Sequence, residues 1–146
     1  MKALKHKTND PAPPFNPKNN ENYKSVKWLE ELLLDPKKPI FDRYRAMFSL
    51  REIGTDEACK ALCQTLTKEN FSNCTALLKH EIGFVLGQLG HTYAKICVPY
   101  LEQTVGDENE APVVRHECVI ALGDITDKTE VMQKYTNDKD DIVRES

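Results

Sequence analysis

The sequence predicts an all-α HEAT-like repeat solenoid, an α-α superhelix, over residues 23–146. Apolar residues recur there at helical spacing, and short turn-prone pieces such as DPKKP and GDENEAP separate them. One motif also returns at a constant interval, as RYRAMFSLREIG (43–54), KHEIGFVLGQLG (79–90) and RHECVIALGDIT (115–126). Because a repeat of this length built from two helices is typical of HEAT-like solenoids, each unit is expected to pack on its neighbours.

The first 22 residues differ in composition from the rest of the chain. The stretch NDPAPPFNPKNNEN holds four of the eight prolines and almost no aliphatic side chain. Such a segment buries too little apolar surface to offset the entropy lost on ordering. Residues 1–22 are therefore predicted to form a disordered tail or a linker.

Seven helices follow in the prediction, and an eighth begins near residue 141. Their predicted ranges are 25–35, 41–53, 56–67, 74–89, 93–105, 112–125 and 129–136. The apolar positions of the second and third motif copies are the predicted core, namely Leu77, Ile82, Val85, Leu86 and Leu89 with Val119, Ile120, Leu122 and Ile125. A fourth copy begins as DIVRES and stops at Ser146, which predicts a truncated last repeat and a fragment of a longer protein.

Charge and hydropathy exclude two classes of partner. Twenty basic and 23 acidic side chains give a net charge of −3, which argues against nucleic acid and against a polybasic membrane patch. No apolar run approaches the roughly 20 residues that a membrane span needs, and the N-terminus has no apolar signal segment. The chain is therefore expected to be soluble and cytoplasmic.

Five cysteines are present, and none forms a Cys-x-x-Cys pair. The odd number and the spacing argue against a disulfide framework and against a zinc ribbon. Cys59 and Cys63 are four residues apart and share a helix face, which could hold a metal ion. Packing as small apolar side chains explains them better, so they are predicted to be reduced core residues.

Two His-Glu pairs occupy the same position in adjacent motif copies, His80-Glu81 and His116-Glu117. Packed helices lie about 8 to 10 Å apart, so equivalent positions of two repeats can converge on one ion. Neighbouring side chains diverge by about 100° around a helix, which favours three ligands and one supporting residue. Imidazole nitrogens with a carboxylate are typical ligands of non-haem iron.

Two other interpretations of this region stay open at the level of sequence. Repeats also duplicate structural residues, so the chain could be a HEAT-like protein-binding module whose His-Glu pairs are structural. Gly83 and Gly87 lie on the His80 face of their predicted helix, where the missing side chains either open room for a substrate or allow close helix packing. Zinc-protease chemistry fits poorly, because a second histidine is needed where Phe84 and Ile120 stand.

The motif copies resemble a known family. HEIGFVLGQLG and PVVRHECVIALGDI, with the upstream FDRYRAMFSLR and the trailing DIVRES, are similar to the C-terminal half of deoxyhypusine hydroxylase over roughly residues 25–146. DPAPP in the tail looks like the linker that joins the halves of that enzyme. The resemblance implies a HEAT-repeat dyad with a di-iron centre between two halves, each half carrying two His-Glu pairs.

The resemblance also implies roles for individual residues. His80, His116 and Glu117 would ligate one Fe²⁺, with dioxygen as co-substrate, and Glu81 would lie beside the iron and help to hold the substrate amine. The implied reaction is hydroxylation of deoxyhypusine on translation initiation factor 5A. Two of the four family pairs are absent, so a missing N-terminal half or a second copy would supply the second iron's ligands. The isolated chain is therefore expected to have weak or no turnover.

Overall fold

Five α-helices make up most of the chain that the computed structural model describes, residues 10–15 and 25–126. They are α1 (Val26–Leu34), α2 (Ile40–Ile53), α3 (Asp56–Cys63), α4 (Ala76–Gly106) and α5 (Pro112–Ile125), with short 3-10 helices at Gln64–Leu66 and Lys68–Asn70. No strand occurs in these two ranges, which confirms the all-α prediction. The helices predicted at 129–136 and near 141, and the truncated last repeat, lie outside the described residues.

Local sequence signals set several helix ends. The side-chain oxygens of Ser25, Thr55 and Thr75 each accept a hydrogen bond from the backbone N–H three residues further on, which caps α1, α3 and α4. Gly54 ends α2 with a left-handed backbone (φ 59°), a conformation that glycine adopts without strain. Among the described residues, no helix has the length and apolar character that a membrane span requires.

Helix α4 joins two helices that the sequence separates. The predicted helices 74–89 and 93–105 form one continuous helix, and Tyr93 alone departs from helical geometry (φ −117°, ψ 27°). The Tyr93 hydroxyl donates a hydrogen bond to the carbonyl oxygen of Gly54, which holds the kink against the end of α2. Gly90 stays inside the helix because a side chain there would overlap that of Ile125. Its role is therefore close packing and not chain reversal.

The repeat frame has a physical basis in the basic residue that opens each motif copy. Arg43 and Arg115 are buried, and each donates from Nε to the carbonyl oxygen ten residues upstream, at 2.8 Å and 2.7 Å respectively. Lys79 at the same repeat position instead pairs with Glu110, at 2.8 Å between Nζ and Oε2. Each basic side chain thus fixes the start of a core helix against a neighbouring segment.

The core lies between successive repeats, with the equivalent residues Leu50, Leu86 and Leu122 all buried. Most of the predicted core is buried or packed against it, but Leu77 and Ile120 are wrong predictions, since they are 64% and 38% exposed. Helical spacing alone does not show how wide the buried stripe of a helix is, so residues at its edge can be exposed.

Residues 10–15, which belong to the predicted disordered tail or linker of residues 1–22, pack on α2. Ala12 is buried, the Phe15 N–H donates to Ser49 Oγ at 2.9 Å, and Asp10 forms an ion pair with Arg51 at 2.6 Å. A buried alanine, one hydrogen bond and one ion pair hold this piece, and composition does not reveal such individual contacts. Residues 1–9 and 16–24 lie outside the described part, and the division at residue 22 stays a prediction.

Candidate metal centre

Two glycines bring α4 and α5 together at the level of Glu117. A Cβ added to Gly83 would lie 3.0 Å from Glu117 Cγ, and one added to Gly87 would lie 3.4 Å from the Cα of Ala121. Both glycines also line a groove with Glu117, so close helix packing and open space beside this carboxylate occur together. The small residues thus allow the carboxylate on α5 to reach the imidazole on α4.

His80 and Glu117 are in direct contact. His80 Nε2 lies 2.9 Å from Glu117 Oε1, and the two side chains are 31% and 11% exposed. Two adjacent ligands of an octahedral ion, each bound at about 2.1 Å, are separated by about 3.0 Å. The contact has the length of a His–Glu ion pair, and the same spacing also suits two neighbouring ligands of one divalent cation.

The environment of Glu117 includes every residue that the sequence predicts for the site. Burial is the largest influence and raises the pKa of the Glu117 carboxyl above its usual range. The charges of His80 and His116 lower that pKa, whereas those of Glu81 and Asp124 raise it further. The charge of Glu117 is thus disfavoured by the protein alone and would be favoured by a bound cation.

The four predicted residues are not gathered equally. His80 and Glu117 touch, while His116 and Glu81 act on Glu117 through their charges. Across residues 10–15 and 25–126, no three histidine, aspartate or glutamate side chains have all their ligand atoms within 4.8 Å of one another. The metal-ligand roles of His80, His116 and Glu117 therefore stay predictions.

Glu81 also influences an aromatic side chain, that of Tyr44 on α2. Its charge raises the pKa of the Tyr44 hydroxyl, after the larger effect of burial. The same charge raises the pKa of Glu117, so Glu81 influences one group on α2 and one on α5. Its predicted part in holding a substrate amine stays a prediction.

A groove of about 300 Å³ runs beside the His80–Glu117 contact. Its lining residues are Gly83, Phe84, Gly87, Gln88, Glu117, Ile120, Ala121 and Asp124. Asp124 is absent from the sequence prediction, yet it lies seven residues after Glu117 and therefore on the same face of α5. This seven-residue spacing is the sequence signal that could have identified Asp124 as a site residue. The groove thus has carboxylates on α5 and apolar walls from Phe84 and Ile120.

A second group of potential ligands lies elsewhere in the molecule. The Sγ atoms of Cys59, Cys63 and Cys97 all lie within 4.8 Å of one another, and all three side chains are buried. The sequence pattern predicts Cys59 and Cys63 as packing residues and does not connect Cys97 with them. The signal that could have found it is that Cys97 belongs to the second helix of the next repeat, which packs against α3. This set could hold a metal ion.

Comparison with known proteins supports the repeat fold. A sequence model of the PBS lyase HEAT-like repeat matches residues 42–68, which span α2 and α3. The deoxyhypusine hydroxylase of Candida albicans is 47% identical over 139 residues, and that of Eremothecium gossypii is 45% identical over 139 residues. Each match covers 94% of this chain, but 41% and 40% of the respective relative.

A solved structure gives the same result. The structure of human deoxyhypusine hydroxylase in complex with glycerol matches with a TM-score of 0.75 and 42% identity, over 93% of this chain and 43% of that chain. The chain is homologous to one part of the deoxyhypusine hydroxylases. It spans about two fifths of the length of these deoxyhypusine hydroxylases. The family resemblance and the HEAT-like fold are confirmed, and the binding-module alternative is not favoured.

Proposed function

We propose that this chain supplies one iron's ligands in a deoxyhypusine monooxygenase, a non-haem di-iron oxygenase of the cytoplasm. The reaction is hydroxylation of deoxyhypusine to hypusine on translation initiation factor 5A. The observation that carries the proposal is the 2.9 Å contact between His80 Nε2 and Glu117 Oε1 at the side of the α4–α5 groove. The names of the relatives agree with this chemistry.

The donor atoms fit Fe²⁺. His80, His116 and Glu117 offer nitrogen and oxygen ligands, the set that suits non-haem iron, whereas thiolates would select softer ions. Once bound, the iron would supply oxidation of an unactivated C–H bond with dioxygen as co-substrate. The protein holds Glu117 beside His80, and a bound cation would favour the deprotonated carboxylate, because burial raises the pKa of Glu117 in the protein alone.

The groove suits a long cationic amine. Phe84 and Ile120 are partly exposed apolar side chains that can contact methylene groups, and Asp124 lies further along the same wall. Glu81 and Asp124 are the carboxylates available to receive the ammonium group. The chain thereby orients the substrate so that a carbon of its aliphatic part lies near the metal.

A second iron requires ligands beyond those described here. The described His-Glu pairs serve one ion, so a missing N-terminal half or a second copy of this chain supplies the other set. This division explains the expectation of weak or no turnover by the chain alone. It also makes iron binding, and not product formation, the first property to test.

Anaerobic titration of the purified chain with Fe²⁺ tests the proposal. We expect one equivalent to bind, and His116→Ala and Glu117→Ala to weaken binding by at least about tenfold. His91→Ala is the matched control, since His91 is an exposed histidine on the same helix as His80. Iron content no higher than background, or an unchanged affinity in His116→Ala, contradicts the proposal.

A further inference from the structure

Three buried thiols from two helices meet in the interior, apart from the His80–Glu117 site. Cys59 and Cys63 lie one turn apart on α3, and Cys97 lies on α4 beyond the Tyr93 kink. Cys59 Sγ and Cys97 Sγ are 3.1 Å apart, and all three sulfur atoms lie within 4.8 Å of one another. The cluster thus bridges helices of two successive repeats.

We propose that Cys59, Cys63 and Cys97 form a binding site for one thiophilic cation, of the type of Cu⁺ or Zn²⁺. A metal–sulfur bond is about 2.3 Å long, so two sulfurs on one ion are at most about 4.6 Å apart. The Cys59–Cys97 distance of 3.1 Å lies within that limit and no distance in the cluster exceeds 4.8 Å, so small side-chain movements bring all three sulfurs to one ion. Sulfur is the only donor type in the cluster, and thiolates select soft cations.

The binding step is an exchange of protons for the cation, without oxidation or reduction. Each thiol that becomes a ligand loses its S–H proton to solvent and forms one metal–sulfur bond. Hydrogen bonding with Cys63 and Cys97 lowers the pKa of Cys59, so the Cys59 thiolate forms first. The pKa of Cys63 is raised, chiefly by its contact with Cys59, so complete ligation becomes more favourable as pH rises.

The presence of a third sulfur atom favours a cation site over a disulfide bond. A Cys59–Cys97 disulfide would require an oxidant and would leave Cys63 without a role, whereas one ion uses all three sulfurs. Entry of the ion needs local opening, which α3 allows because it has only eight residues. Once bound, the ion ties α3 to α4 and stabilises the folded state by mass action.

Titration of the reduced 146-residue chain under anaerobic conditions tests the site. Cu⁺ and Cd²⁺, the latter as a spectroscopic substitute for Zn²⁺, are added in separate experiments. Binding is followed by sulfur-to-metal charge-transfer absorption and by native mass spectrometry. We expect one tightly bound equivalent and a higher melting temperature, and the tighter of the two ions identifies the preferred cation.

Variants distinguish this site from the proposed iron site. Cys97→Ala should weaken binding by at least about tenfold, while Cys118→Ala, which removes a buried thiol outside the cluster, should not. His116→Ala should keep the charge-transfer signal. If Cys97→Ala does not fold, Cys63→Ser serves in its place. Absence of the signal in the wild-type chain, or a Cys59–Cys97 disulfide in its place, overturns the proposal.

Discussion

Glu117 is the residue on which the candidate metal centre depends. Its carboxylate touches His80, packs against the backbone of Gly83 and lines the groove. Burial nevertheless raises its pKa, so the site is electrostatically incomplete without a positive partner. The charged form of Glu117 destabilises the fold, and a bound cation would offset this cost. Such a strongly perturbed buried carboxyl is typical of a functional site.

The raised pKa of Glu117 predicts a specific dependence of stability on pH. The folded chain keeps this proton at pH values where the unfolded chain has lost it, so the free energy of unfolding falls as pH rises from about 4.5 through the raised pKa. Glu117→Gln removes the titration. We expect its melting temperature to fall less over this pH range than that of the wild-type chain.

Circular dichroism melts from pH 4.5 upward measure this difference in the metal-free chain. Glu69→Gln is the control, because Glu69 is an exposed carboxylate outside the site. Its curve should run parallel to that of the wild-type chain. A Glu117→Gln curve that is also parallel to the wild-type curve would show that the buried carboxyl does not hold the proton.

Single residues also show where sequence reasoning succeeds and where it ends. The duplicated His-Glu pairs could be found because repetition brings equivalent positions to one surface, and the structure does bring His80 to Glu117. The duplicated His-Glu pairs do not include Asp124 or Cys97, because Asp124 is indicated only by its seven-residue spacing from Glu117 and Cys97 lies outside the motif copies. Their importance arises from the side-chain packing between helices, which a repeat pattern does not describe.

At the scale of helices, the approach of α4 to α5 positions the site. A Cβ on Gly83 would meet Glu117 at 3.0 Å, closer than ordinary packing allows. Gly83→Ala should therefore separate the helices or displace the carboxylate. The expected loss is about 1–3 kcal/mol of stability from overpacking, partly offset by about 1 kcal/mol of helix propensity, together with weaker Fe²⁺ binding.

The matched control for this change is Gly106→Ala. A Cβ at Gly106 meets no atom within 4 Å, so the substitution should be neutral or stabilise the chain by up to about 1 kcal/mol. Urea unfolding and Fe²⁺ titration of both variants provide the measurements. Equal behaviour of the two alanine variants would remove close packing as the reason for glycine at position 83.

A buried ion pair joins the start of α4 to the loop before α5. Lys79 Nζ lies 2.8 Å from Glu110 Oε2, and Glu110 also accepts from the N–H of Ala111. Lys79→Met should cost about 3–5 kcal/mol, because Glu110 would stay buried without its counter-charge. The double variant Lys79→Met/Glu110→Gln should recover most of that loss, since it leaves no uncompensated charge.

Chemical denaturation of the two single variants and the double variant measures the coupling. A double-variant loss equal to the sum of the single losses would show that the pair does not act as a unit. The prediction also bears on the fold, because Lys79 occupies the repeat position of Arg43 and Arg115. Sequence alone marked that position as basic, but it could not show that lysine pairs with a carboxylate where the arginines bind carbonyl groups.

Helix boundaries were predictable to within a few residues where caps or proline mark them. α2, α3 and α5 begin within one residue of their predicted starts. The error falls at residues 90–92, where a glycine in a polar piece indicates a loop but the structure continues a kinked helix. Ile125 packs so closely on Gly90 that only glycine fits there. The sequence near Gly90 cannot show this, because Ile125 is 35 positions away.

At the scale of the whole molecule, the two candidate metal sites lie on different helices of the repeats. The first helices of the repeats carry the histidines and carboxylates, while the second helices carry the thiol cluster. Because each repeat contacts mainly its neighbours, a site between two repeats can persist in a partial array. Metal binding by this chain and turnover by a complete enzyme are therefore separable properties.

This separation predicts that the chain binds iron but turns over little substrate by itself. With Fe²⁺, dioxygen and a deoxyhypusine-bearing factor, we expect hypusine formation far below that of the human relative, because one ligand set cannot hold two ions. Adding the remaining three fifths of the Candida albicans relative should raise the yield, measured by mass spectrometry of the factor. A chain carrying His80→Ala should not respond to that addition. Turnover by the chain alone at the rate of the human enzyme would mean that its own residues complete the centre.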